Sequence, residues 1–147
     1  MMLEFYEDLF NSYKNYMENS SEYKPRIVKF NTNTSSYFPI VTFTISNLVD
    51  TDNDTIDKIE QFDEYYFTID VYSKDKIVNK TTIASQIINN ELTKLTINFF
   101  DNLNMRRSSC RPTFNIDNSI LRTNIQYQCM ISTRGNIIRR WNNGKTI

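Results

Sequence analysis

The sequence contains no histidine, only two glycines and only two cysteines. Without histidine the chain lacks the most common general base and metal ligand, so Ser-His-Asp and Cys-His catalytic sites are excluded within it. Gly135 and Gly144 are too few for a phosphate-binding loop or a dinucleotide fingerprint. Cys110 and Cys129 supply neither a disulfide framework nor four zinc ligands, and we expect both to be small buried apolar side chains. We therefore expect no enzyme activity, catalytic residue, cofactor or metal.

Long apolar runs are absent as well. No stretch is long enough to span a bilayer, and the first residues lack the basic and apolar regions of a signal peptide. We expect a protein made in the cytoplasm that has no membrane partner. The 147 residues, 39% of them hydrophobic, fit a single domain over 1–147 that buries one core.

Two segments have the apolar spacing of amphipathic helices. The first is predicted over residues 2–19, where the apolar positions are Leu3, Tyr6, Phe10, Tyr13 and Met17. The second is predicted over residues 81–100, with Thr81 or Thr82 as the N-cap. Its apolar positions are Ala84, Ile88, Leu92, Leu95 and Phe99, and Ile87 widens the stripe.

Alternating apolar and polar residues predict the strands. Val41, Phe43 and Ile45, for example, alternate with threonine and serine after Pro39. A further short strand is predicted over residues 26–30. The main strands are predicted over residues 38–46, 64–73, 105–114, 121–132 and 136–141. The order of elements predicts an α+β fold, with a mainly antiparallel sheet and two helices packed on one face.

Charge is balanced overall but divided along the chain. Residues 1–75 carry 6 basic and 14 acidic side chains, whereas residues 76–147 carry 11 basic and 3 acidic ones. Such a division can mark a nucleic-acid or membrane surface, a subunit whose two surfaces attract each other in neighbouring copies, or only a mixed solvated surface. The predicted interface residues are Asp50, Asp52, Asp54 and Asp57 in one segment and Arg106, Arg107, Arg111, Arg139 and Arg140 in the other.

The sequence offers three alternatives to a protein-binding role. Asp50, Asp52 and Asp54 match the first, third and fifth ligands of an EF-hand loop, but Thr55 and Gln61 replace its glycine and its glutamate, which favours a solvated loop. The carboxylates at 63, 64 and 70 have no apolar pocket nearby that would suit acid–base catalysis. The arginines are typical of a nucleic-acid-binding module, although aromatic stacking partners are scarce among them.

The motifs occur in an order that resembles the tail terminator or tail completion proteins of the phage neck. The similar segments are Phe38-Pro39 with its strand, residues 65–73, the helix from residue 81 to 95, residues 105–114, the polar link 115–118, and the final hairpin formed by 122–132 and 136–140. The resemblance covers about residues 1–140. The segment 47–62 departs from the pattern because it is more acidic.

The resemblance implies an architectural role in the virion. Such proteins form a ring, usually of six copies, that caps the tail tube and joins it to the head. The implied partners are other copies of the chain, the tail tube protein and a head-completion or connector protein, with DNA only passing through the lumen. Another head-to-tail connector or head-completion subunit, or a nucleic-acid-binding module, remains the alternative.

Overall fold

The computed structural model describes residues 2–29, 37–50, 62–113, 119–132 and 137–138. Two helices and a mainly antiparallel sheet confirm the predicted α+β class. In chain order the elements are α1 (Met2–Ser20), β1 (Arg26–Val28), β2 (Ile40–Asp50), β3 (Phe62–Ser73), β4 (Lys76–Val78), β5 (Thr81–Ile83), α2 (Ser85–Asp101), β6 (Arg106–Thr113), β7 (Leu121–Ser132) and β8 (Ile137–Ile138).

The main sheet has the strand order β1-β2-β3-β7-β6, and β8 pairs with the end of β7. Among the described strands of this sheet, only the β1–β2 pair is parallel. Phe43 lies opposite Ile69, and Ile69 lies opposite Ile125. Because side chains alternate between the two faces of a strand, this register gathers the apolar residues of β2, β3 and β7 on one face.

Both helices pack on that apolar face, as predicted. The ring of Tyr13 in α1 lies 5.8 Å from the ring of Phe43 in β2, and 5.2 Å from the ring of Phe100 in α2. Phe100 in turn lies 5.1 Å from Tyr127 in β7. Rings offset or tilted at these distances add to the free energy gained from apolar burial. α1 therefore lies over β2, while α2 lies over the β3–β7 side of the sheet.

The predicted start of the second helix is wrong. Residues 81–83 form β5, which pairs with β4 in a separate hairpin, and α2 begins only at Ser85. Asn79 and Lys80, both with positive φ, form the two-residue connection of that hairpin, a geometry that matches the twist of paired strands. Neither predicted threonine caps the helix. The Asp75 carboxylate accepts a hydrogen bond from the Ser85 backbone N–H at 2.8 Å instead.

The strand predictions are confirmed with shifted ends. β2 continues four residues past the predicted end at residue 46, because a register shift between Ile45 and Asn47 interrupts the alternation without ending the strand. β3 starts at Phe62, and β6 and α1 lie within one residue of their predicted bounds. Of the predicted final strand, residues 137–138 form β8, and residues 139–141 lie outside the described residues.

Candidate subunit interface

The three predicted arginines of β6 lie at one edge of the main sheet. Arg106, Arg107 and Arg111 are all exposed. Arg107 is opposite Tyr127, on the side of the helices, whereas Arg111 is opposite Asn124, on the other face. A register shift between Arg107 and Ser109 places the guanidinium groups on both faces of the strand. Charged side chains together with Pro112 also protect a sheet edge from unwanted strand pairing.

The remaining predicted interface residues contribute less to the described surface. Asp52, Asp54, Asp57, Arg139 and Arg140 lie outside the described residues. Asp50 is the last residue of β2, opposite Asp63 in β3. The strands β3 and β7 separate β2 from β6. The structure therefore does not bring Asp50 beside the β6 arginines of the same chain.

One acidic surface among the described residues lies on α1, whose apolar spacing predicts only a packing helix. Asp8 and Glu18 on α1 are exposed, as is Glu22 just after it. Glu7 forms an ion pair with Lys29. The periodicity that predicts the apolar face of α1 also predicts these exposed carboxylates, because Asp8 and Glu18 fall between the buried positions. We call Asp8 and Glu18 the α1 carboxylates.

A second charged site lies on the sheet face away from the helices. Asp70 accepts hydrogen bonds from Arg122 Nε at 3.2 Å and from Asn124 Nδ2 at 2.8 Å. The Arg122 guanidinium also lies 5.4 Å from the centre of the Tyr72 ring. Burial, and then the Asp70 carboxylate, raise the pKa of Tyr72, while Arg122 lowers it. Asp70 is thus held in a structural ion pair, which does not suit the acid–base alternative.

An open cleft of about 620 Å³ separates the first half of α2 from β6 and β7. Its lining residues are Ser85, Gln86, Asn89, Asn90, Thr93, Cys110, Arg111, Pro112, Leu121 and Thr123. Amides and hydroxyls dominate, and no carboxylate is among them. The lining of this cleft therefore lacks the pair of carboxylates that this kind of acid–base catalysis requires.

The buried amide of Asn89 organises the floor of the cleft. Its Nδ2 donates to the Val71 carbonyl at 3.1 Å and to the Leu121 carbonyl at 3.4 Å. Its Oδ1 accepts hydrogen bonds from the hydroxyls of Thr93 and Thr123. Asn89 thereby joins α2 to β3 and β7, and its polar atoms are occupied by this structural role.

The two cysteines have different environments, which corrects the prediction that both are buried. Cys129 is fully buried in the core, but Cys110 is exposed and lines the cleft. Burial of part of the Cys110 thiol raises its pKa, and the nearby Arg107 charge lowers it. Cys110 lies opposite Ile125, and Cys129 lies opposite Tyr65, so the two thiols are not cross-strand partners.

Within the described ranges, no three or more cysteine, aspartate or glutamate side chains are grouped to hold a metal ion. Neither α1 nor α2 is long and apolar enough to cross a membrane. Comparisons with protein-family models and with curated proteins found no match.

Proposed function

We propose that this chain is a structural protein of the virion, a tail terminator that forms a ring on the phage tail tube and joins it to the head or neck. One observation carries the proposal. The exposed arginines of β6 and the α1 carboxylates lie towards opposite edges of the subunit, because α1 packs on β2 while β6 ends the other side of the sheet.

Two unlike surfaces on opposite edges suit a ring. A head-to-tail ring requires each copy to present two different faces that fit each other, whereas a two-fold dimer uses the same face twice. Opposite charges add specificity to such a contact and increase its rate of formation. The edges of the sheet would then face neighbouring copies, and the two ends of the strands would face the tail tube protein and a head-completion or connector protein.

A lumen that DNA passes through must not retain it. Nonspecific affinity for DNA grows with the number of phosphates that lysine and arginine neutralise. The whole chain carries 17 basic and 17 acidic residues, so its formal net charge is zero. This balance supports a ring that DNA traverses without stable binding, and we expect six copies in that ring.

A nucleic-acid-binding module is the second candidate, and the three exposed arginines of β6 favour it. Aromatic side chains that stack on bases commonly accompany such arginines. Tyr127, the aromatic residue opposite Arg107, is fully buried in the core. The described part of β6 therefore resembles a protein contact more than a base-stacking surface.

The proposal is tested by assembly. The mass of the purified chain should be measured in solution, and its particles imaged by electron microscopy, alone and with isolated tail tubes. We expect closed rings in solution. We also expect these rings to bind the ends of tail tubes and stop tube growth. A strict monomer at all concentrations that neither binds nor limits tubes would overturn the proposal. A ring that binds a connector but not the tube would instead support a connector subunit.

A parallel measurement separates the nucleic-acid alternative. Binding to a labelled DNA duplex should be measured between low and moderate salt. We expect weak retention that disappears as salt rises, and no loss of ring formation without DNA. Tight binding at moderate salt, lost in Arg106→Ala and Arg111→Ala, would favour the module instead.

A further inference from the structure

We infer that Arg107 and Arg111 of one copy pair with Asp8 and Glu18, respectively, on the next copy of this chain. The inference rests on the proposed ring and adds which surfaces meet and in which order. All four side chains lie on the surface of the subunit.

The arginines and the carboxylates have no ion-pair partner of their own in the described part of the chain. None of the four belongs to the ion pairs Lys29–Glu7 and Arg122–Asp70. Asp8, Glu18, Arg107 and Arg111 are exposed. An exposed charge without an internal partner is available to an approaching surface of opposite charge, and both signs are present on this one chain.

The spacing along α1 defines the acidic surface. Glu18 is ten positions after Asp8, and a helix rises 1.5 Å per residue, so the two residues are about 15 Å apart along the axis. The exposed residues between them are the uncharged Asn11, Ser12 and Asn15, and the half-buried Lys14 lies in the same stretch. Glu7 is already neutralised by Lys29. The acidic surface of α1 thus has two exposed carboxylates separated by uncharged polar residues and one half-buried lysine.

The spacing along β6 is shorter. Arg111 is four positions after Arg107, but the register shift between Arg107 and Ser109 leaves them opposite Tyr127 and Asn124, three positions apart on β7, or about 10 Å at the rise of a strand. The residues between them, Ser108, Ser109 and Cys110, carry no charge at neutral pH. The two side chains leave β6 on opposite faces, and the difference of about 5 Å from α1 is within the reach of an arginine side chain, whose long stem moves its charged head. The two surfaces therefore match in charge, and the arginine stems span the difference in spacing.

The two elements also run in the same direction. β6 is antiparallel to β7, β7 to β3, and β3 to β2, so β6 runs opposite to β2. β1 is parallel to β2, and α1 runs opposite to β1, because Tyr6 near the start of α1 meets Lys29 just past the end of β1. α1 and β6 therefore share one direction.

This shared direction fixes the order of the pairs. Rotation about a ring axis that runs along the strands keeps the direction of every element, so the first charge on β6 meets the first charge on α1. A two-fold axis across the strands would reverse the order. The ring therefore joins Arg107 to Asp8 and Arg111 to Glu18, and a two-fold dimer would join Arg107 to Glu18.

Charge reversal in the full chain tests both the contact and its order. Arg107→Glu and Asp8→Arg are made singly. Each should raise, by about tenfold, the protein concentration at which half of the rings are dissociated, because each places like charges together. The double variant Arg107→Glu/Asp8→Arg should recover assembly. The crossed variant Arg107→Glu/Glu18→Arg, with the same net charge, should not. Circular dichroism and the melting temperature of each variant check that it remains folded.

The milder variants Arg111→Gln and Glu18→Gln, which only remove charge, should weaken assembly less than the reversals do. Rings that form at the wild-type concentration in the single reversals would overturn the inference and leave the proposed function standing. Recovery in the crossed variant alone would overturn the order and favour a two-fold contact. A wild-type chain that never self-associates, in solution or on tubes, would overturn both the inference and the proposed function.

Discussion

Arg122 directs two guanidinium nitrogens at a single oxygen of Asp70. Nε lies 3.2 Å and Nη2 lies 3.1 Å from Asp70 Oδ1. The two residues come from neighbouring strands, and Asn124, directly opposite Asp70, donates to the same oxygen. The Asp70 side chain is 12% exposed and that of Arg122 is 31% exposed. The carboxylate is therefore shielded from water on the face of the sheet away from the helices.

Removal of Arg122 is expected to destabilise the fold. Arg122→Leu should lower the free energy of unfolding by about 2 kcal/mol, because the shielded Asp70 charge keeps only the hydrogen bond from Asn124. Urea unfolding followed by circular dichroism measures the change. The matched control is Lys94→Leu, at an exposed basic residue outside the proposed interface, which should change the free energy by no more than about 0.5 kcal/mol. Equal losses in the two variants would contradict a specific role for the pair.

The hydroxyls of Tyr13 and Thr96 form a buried hydrogen bond of 2.7 Å between the two helices. Thr96 also donates to the Leu92 carbonyl at 2.8 Å, so the Tyr13 hydroxyl is the donor in the pair. Thr96→Val should cost about 2 kcal/mol of unfolding free energy, because the Tyr13 hydroxyl loses its acceptor in the core. Tyr13→Phe should cost about 1 kcal/mol, because Thr96 keeps its own bond. A larger loss in Tyr13→Phe than in Thr96→Val would contradict this assignment of donor and acceptor.

The stability of the fold should fall in alkaline solution. Tyr6 donates its hydroxyl to the Phe43 carbonyl at 2.6 Å, and burial, followed by the Glu7 charge, raises the pKa of Tyr6 to about 12. Above pH 10 the unfolded chain loses this proton while the folded chain keeps it, so folding stability contributed by Tyr6 is complete below pH 10 and is lost as the pH rises towards 12. Burial also raises the pKa of Tyr13 and Tyr127, which act in the same direction.

The variant Tyr6→Phe isolates this contribution. Its unfolding free energy should be lower than that of the wild type at pH 7, because the hydrogen bond is lost, yet it should decline less steeply between pH 10 and pH 12. Urea unfolding at intervals of half a pH unit provides the measurement, and the interval from pH 7 to pH 9 serves as the internal control. Parallel declines in the two proteins above pH 10 would contradict the shifted pKa of Tyr6.

The turn of the β4–β5 hairpin offers a stabilising substitution. Lys80 has φ of 65°, in the left-handed region where a Cβ atom is unfavourable. Lys80→Gly should raise the free energy of unfolding by roughly 0.5–1 kcal/mol, since an Asn-Gly connection is the preferred sequence for this turn. Thermal unfolding measures the gain. Lys80→Ala removes the same charge but keeps the Cβ atom, so a similar gain in that variant would contradict the backbone explanation.

Several features of the fold follow from patterns local in the sequence. The apolar spacing of α1 and the alternation in β3 and β7 each arise from residues that bury one face, so these elements were predicted within about two residues. The boundary at residues 81–85 was not predictable in this way. Thr81, Thr82 and Ile83 fit either the first turn of a helix or a strand, and pairing with β4 decided in favour of the strand.

Part of the candidate interface can likewise be predicted from the sequence, and part of it cannot. The arginines of β6 are evident from the sequence because they are close together in the chain. The α1 carboxylates are not evident there as an opposing surface, because their relation to β6 depends on the order of the five strands in the sheet. The Asp70–Arg122 pair was also missed, because its members are 52 positions apart and only the β3–β7 register brings them together.

The sequence by itself determined the α+β class, the two apolar helix faces, the alternating strands and the exclusion of histidine-based chemistry, since each depends on residue type and on spacing within one element. The tertiary structure alone decided the parallel β1–β2 pair, the separate hairpin, the opposite placement of acidic and basic surfaces and their common direction. Those features depend on which distant segments pair with each other. Hydrogen bonding and packing between strands determine that pairing only when the whole sheet is assembled.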